Sequence, residues 1–183
     1  MADVRRRGFA ATALSALLIV VAACGGGDGG ETETAGSPAA SLDVHGAADL
    51  EALLPERLGE VDLTRASYTG EAVTRVAGFD STMLEGLLED VGATTDDLSV
   101  GIAGDTGGQV LIAAIRVDGV SPDETVDFFV GEMDDYRFEE RTVAGKTVMT
   151  TAGGGIYFYP SGDVMFEIVG ENALAEEAIA ELP

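Results

Sequence analysis

A cluster of positive charge, Arg5-Arg6-Arg7, precedes an uncharged run of small and apolar residues from Ala10 to Ala23, and the run ends at the only cysteine of the chain, Cys24. A basic start, a short apolar middle and small residues before a cut are the order of a secretory signal peptide. This feature limits the fold in two ways. Residues 1–23 are expected to be cleaved, so they add nothing to the mature core. One cysteine has no intramolecular disulfide partner, so whatever folds beyond it is held by its own burial. Removing the leader from 183 residues leaves 160, and a chain of that size buries roughly 65–70% of its unfolded surface. The apolar run is short of the roughly 20 residues that cross a bilayer, which argues against an uncleaved span. A buried free thiol, common for unpaired cysteines, fits poorly between an apolar run and Gly25-Gly26-Gly27.

The ending Val21-Ala22-Ala23-Cys24, followed by glycines, resembles the lipobox of bacterial lipoprotein precursors. The resemblance covers only the first two dozen residues. It implies cleavage between Ala23 and Cys24, a diacylglyceryl group on the Cys24 thiol, and Cys24 as the new N-terminus. Two acyl chains anchor stably, because each buried methylene contributes about 0.8 kcal/mol. The place implied is the cell membrane, on the side facing away from the cytoplasm, periplasmic or extracellular. In this respect the chain resembles the small envelope lipoproteins of unknown role, a grouping that names no ligand. Arg6-Arg7-Gly8-Phe9 also looks like part of the twin-arginine export signal, although Arg5 stands where that pattern has Ser or Thr. Both export routes stay open.

The leader takes three arginines and Asp3 from the 10 basic and 33 acidic residues of the chain, leaving 7 and 32 and a net charge of −25. Lys146 is the only lysine. Nucleic acid is excluded as a partner, since its phosphates demand Lys and Arg. Flat docking on an anionic lipid surface is disfavoured for the same reason.

Residues 24–46 read as the lipidated cysteine and a flexible tether. Gly25 to Gly30 is glycine-rich, Glu31 to Ser41 is polar, acidic or small, and such a segment buries too little to offset its ordering entropy. Its coil spans about 25 Å, beyond a Debye length of about 8 Å. The acidic domain is thereby held off the membrane. His45, the only histidine, falls at the end of the tether and reads as solvent-exposed.

Residues 47–183 read as one α+β domain. Short-helix character covers Asp49–Leu54 before Pro55, and strand character covers Val61–Tyr68. A helix is predicted over Ser81–Val91, with Thr82 and Glu85 as its capping box and Gly92 as its stop. Leu98, Val100 and Ile102 alternate as a half-buried strand does, and Gln109–Val117 forms a longer one. Ser121, Pro122 and Glu124 give the strongest helix start in the chain, followed by Val126, Phe129, Val130 and Met133 on one face. Strands are predicted over 137–143 and 146–151 around Ala144-Gly145, and over 155–159 and 164–169 around Pro160-Ser161-Gly162-Asp163. A last helix covers Asn172–Leu182. The order predicts a single antiparallel sheet of about six or seven strands with helices packed mainly on one face. Helix, strand, turn, strand recurs over 81–117 and 121–151, suggesting αββ repeats. The uncovered face would carry Thr147, Met149 and Thr151, or Tyr157 and Tyr159, as a partner surface.

Three motifs carry a trace of chemistry. Asp105-Thr106-Gly107 matches the short signature of aspartic proteases. Those enzymes need a second copy to share a proton, and the chain has none, so a hairpin loop is expected. Gly145-Lys146-Thr147 matches the end of a phosphate-binding loop, but Glu140 replaces its first glycine and a strand follows. Gly153-Gly154-Gly155 lies between strands and reads as a loop. The acidic pairs Asp96-Asp97, Asp134-Asp135 beside Glu132, and Glu139-Glu140 lack the spacing of a calcium loop. No histidine lies past the tether to activate a serine. The expectation is a lipid-anchored, non-enzymatic binding or envelope-interaction protein, with no catalytic, cofactor or metal residues. Its partners are the membrane, through the lipid on Cys24, and an envelope protein or apolar ligand. The alternatives are a carrier or sensor holding a lipid or other apolar molecule between sheet and helices, and an enzyme of unknown class.

Overall fold

The computed structural model describes residues 44–75 and 81–183. Ala23, Cys24 and the tether up to residue 43 lie outside the described residues. The elements are α1 (Ala48–Glu51), the short strands β1 (Arg57–Leu58) and β2 (Val61–Asp62), β3 (Thr64–Thr69), α2 (Glu71–Thr74), α3 (Ser81–Val91), β4 (Leu98–Gly104), β5 (Val110–Val117), α4 (Pro122–Glu132), β6 (Phe138–Val143), β7 (Lys146–Thr151), β8 (Ile156–Ser161), β9 (Val164–Gly170) and α5 (Asn172–Glu181). β1 and β2 form a hairpin of their own. The rest form a seven-stranded sheet in the order β3-β4-β5-β9-β8-β7-β6, antiparallel at every pairing. The fold is α+β, as expected. No helix among the described residues is long and apolar enough to cross a membrane.

The helices do not keep to one face, contrary to expectation. Leu50 of α1 and Ala175, Ala178 and Ile179 of α5 bury against Ile112, Ala114, Tyr157, Phe166 and Ile168. Leu84, Leu87 and Leu88 of α3 and Val126 and Phe129 of α4 bury against Val100, Ala113, Ile115, Phe158 and Met165 on the opposite side. The cause is in β5 itself. Val110 to Val117 is a nearly continuous apolar run, the mark of a strand covered on both faces. The surface proposed for Tyr157 and Tyr159 is therefore not open: Tyr157 is fully buried, and Tyr159 stacks on Phe166 with ring centroids 6.0 Å apart. Gly101 lets α1 close on the sheet, since a Cβ there would lie 3.2 Å from the Leu50 backbone.

Local signals explain most boundaries. The Ser121 hydroxyl accepts from the Glu124 amide at 3.3 Å, and the Glu124 carboxylate accepts from the Ser121 amide at 3.1 Å, completing the box. At the end of α3, Gly92 takes φ of +69°, and the Ala93 amide donates to the Leu88 carbonyl at 2.9 Å. The helix α3 already includes Ser81 and Thr82, and the residues before it, 76–80, lie outside the described residues. Pro160 belongs to β8 rather than to the turn. β7 pairs with β8 only at Met149–Phe158 and Thr150–Tyr157, so the missing N–H of Pro160 interrupts no ladder on that side. Residues 44–46, expected at the end of the tether, lie along the outer edge of β3. There the Ser67 amide donates to Val44 and the Gly46 amide to Ser67, both at 3.0 Å.

Candidate functional site

The motifs singled out by sequence are held by their own surroundings. Asp105 closes the β4–β5 loop: its carboxylate accepts from the amides of Gly107 at 2.7 Å, Gln109 at 2.7 Å and Val110 at 2.9 Å. Burial pushes this carboxyl up, but the three amides outweigh it and hold it below the ordinary carboxylate value. These three bonds tie the carboxylate to its own loop. Gly145 occupies the β6–β7 turn at φ +81°. The Lys146 ammonium donates to the carbonyls of Ile179, at 2.9 Å, and Leu182, and lies 5.1 Å from the Tyr159 ring centroid. It occupies the carbonyl end of α5, where the helix dipole favours a cation, rather than a phosphate. In the glycine loop, the Gly153 carbonyl accepts from Asn172 Nδ2 at 3.4 Å, and Asn172 Oδ1 accepts from the Tyr157 hydroxyl at 3.2 Å.

The remaining sequence candidates are structural or scattered. Asp97 caps the 3-10 turn Thr95–Asp97 by accepting from the Thr94 amide and hydroxyl, both at 2.8 Å. His45 is exposed, and its Nδ1 lies 2.8 Å from Glu51 Oε2. Asp90, Glu124 and Asp127 line a shallow cleft between α3 and α4. Among the described residues, no group of three or more His, Cys, Asp or Glu side chains is placed to hold a metal ion.

Sequence reasoning missed the group that stands out, Glu167. It sits in the middle of β9, opposite Ala113 of β5 and Phe158 of β8. Alternation puts it on the α3/α4 face with Met165 and Val169. Its diagonal neighbours on that face are Leu111 and Ile115 on one side and Ile156 and Pro160 on the other. All eight positions around this carboxyl are apolar. Among the described residues, no hydrogen bond or ion pair reaches its side chain. Burial alone pushes its carboxyl up from 4.5 to about 7.

The packing around Glu167 is graded. Toward one end, Ile115 and Met165 are sealed beneath the helices. Phe158 is fully buried, and its ring meets Phe129 at 5.8 Å and Phe138 at 5.6 Å between centroids. Toward the other end, Ile156 and Val169 are only partly covered, and Leu111 is 41% exposed. Glu167 itself keeps part of its surface. The arrangement is an acid at the lip of an apolar surface. A readable signal was present: Val164-Met165-Phe166-Glu167-Ile168-Val169 is an apolar run interrupted by one charge.

No protein-family model, curated protein or solved structure matches the chain.

Proposed function

We propose that this chain is a lipid-anchored protein facing away from the cytoplasm, and that its domain binds a ligand or envelope partner at the Glu167 surface without catalysing a reaction. The observation that carries the binding half is an acid with no partner, ringed by apolar positions and open toward Leu111. Perturbed carboxyls in such settings cluster at functional sites. The positions flanking Glu167 supply no second titratable group with which it could form a paired-carboxylate acid–base site. We therefore read the surface as a binding site.

The anchoring half rests on the Ala23-Cys24 junction. The tether meets the domain along β3, an edge of the sheet. Six strand spacings of about 4.8 Å put β6 roughly 29 Å from that edge, so the domain has a near side and a far side relative to its anchor. We read 81–117 and 121–151 as two αββ units; both place their helix, α3 or α4, on the Glu167 side.

Each half has its own test. Cys24→Ser is expected to move the protein out of the membrane fraction; a variant that sediments with membranes as the parent does refutes the lipid. A photo-crosslinking residue at Leu111 is expected to capture one defined species in intact cells, while the same residue at Asp118 does not. Equal capture at both positions refutes binding at this surface.

A further inference from the structure

Resting on that reading of the surface, we propose that the Glu167 carboxylate is the counter-ion for an amphiphile that carries one ammonium head on an apolar body. The eight positions around the carboxyl offer no donor and no cation, so both must come from the ligand. A primary ammonium brings a positive charge and three N–H donors. The apolar wall lowers the local dielectric and strengthens the pairing. Ile156 and Val169, partly covered, and Leu111, exposed, continue the wall outward, so an alkyl or aryl body has apolar surface to lie against. The long-range field selects the same sign. A mature chain of net charge −25 concentrates cations and repels fatty acids and phosphate-headed amphiphiles. An alcohol of equal length could fill the apolar part but would leave the carboxylate charge unpaired.

The test is a calorimetric titration of the full chain bearing Cys24→Ser, in detergent-free buffer at pH 8, with n-octylammonium and with 1-octanol. Saturable octylammonium binding is expected, at least tenfold tighter than octanol. Glu167→Gln is expected to weaken octylammonium at least tenfold and to leave octanol unchanged. Leu111→Lys, at a position already exposed, is expected to weaken octylammonium to a similar degree by placing a cation at the mouth, and it carries the test should the Gln variant misfold. Equal affinity for the two probes, or full octylammonium affinity in either variant, overturns the pairing while the surface still binds. Saturable binding of neither probe also overturns it; capture at Leu111 then decides separately whether the surface has another partner.

Discussion

The two faces of the sheet bury similar sets of aliphatic and aromatic side chains but differ by one unpaired acid. On the α1/α5 face the Ser67 hydroxyl accepts from the Ala47 amide at 3.1 Å and reaches Glu51 at 3.2 Å. On the same face Thr150 donates to the Ile156 carbonyl at 2.8 Å, Arg65 to the Leu54 carbonyl at 3.1 Å, and Lys146 to the end of α5. Arg116 is the partial exception: its Nε is buried without a hydrogen-bond partner, 3.9 Å from Asp118 Oδ1, while its Nη1 lies 2.6 Å from Asp49 and 3.8 Å from Asp163. On the α3/α4 face Thr125 donates to the Ser121 carbonyl at 3.3 Å and Thr151 to the Gly154 carbonyl, but Glu167 has no hydrogen-bond or ion-pair partner among the described residues. Glu167 thus stands apart from the paired side chains of both faces. An unpaired acid there is a cost that packing does not require, since Ala113 and Phe158 beside it show that the site accepts apolar residues.

The largest expected effect comes from this acid. Its folded pKa of about 7 lies above the ordinary 4.5, so between those values the folded state holds the proton more tightly than the unfolded state. Stability from this group is therefore greatest below pH 4.5 and falls as pH rises through 7. A shift of that size corresponds to about 3 kcal/mol. Glu167→Gln should be more stable than the parent at pH 8 by up to that amount. The gap should close by pH 4.5. Urea denaturation of both proteins across this range checks it, and equal pH dependence would erase the contrast between the faces. Asp49 and Glu51 act in the opposite sense. The hydrogen bond from Arg116 for Asp49, and that with His45 for Glu51, hold their carboxyls below the ordinary value. Their contributions fade as pH falls, and they cancel when the two proteins are compared.

Lys146 gives the counterpart on the paired face. Lys146→Met keeps the aliphatic stem and removes the ammonium that donates to the Ile179 and Leu182 carbonyls. Charge-assisted hydrogen bonds of this kind are worth about 1.5–3 kcal/mol, and a loss in that range is expected at neutral pH. Equilibrium denaturation measures it. A variant as stable as the parent would mean that the ammonium is as well solvated by water as by the helix end, and the face would lose its clearest example of pairing.

Much of this was legible in the sequence, and the failures have physical causes. Local signals held because they are complete within a few residues: the Ser121–Glu124 box, Gly92 as a stop, and the Ala144-Gly145 turn, whose two residues take φ of +50° and +81°. Helix placement failed at the next level. The pattern within 81–91 fixes which side of α3 is apolar but not which sheet face it meets. That information lay in β5, where Leu111, Ala113 and Ile115 oppose Ile112 and Ala114, and both sets are apolar. Lys146 was legible as a turn neighbour but not as a helix cap, because its partners lie 33 and 36 residues away. Glu167 was visible as one charge in an apolar strand. Its lack of a partner depends on Ala113 and Phe158 standing beside it, which only the register β5-β9-β8 reveals.

The smallest effects concern how each face secures its helices. On the Glu167 face, α4 is fixed at its start by the Ser121 box; Ser121→Ala should cost about 1 kcal/mol. On the opposite face, α5 begins at Glu171, whose side chain makes no capping bond although its backbone is extended, at φ −61° and ψ 135°, as an N-cap requires. Its securing interaction is at the other end, through Lys146. Shortening the acid by one methylene, Glu171→Asp, brings a carboxylate within reach of the free amides of the first turn and keeps the negative charge that the helix start favours. A gain of about 0.5 kcal/mol is expected, read as a rise in the denaturation midpoint with an unchanged slope. The gain should be larger in Lys146→Met than in the parent, because α5 there has lost its other tie. Equal gains in both backgrounds would show that the two ends of α5 are secured independently.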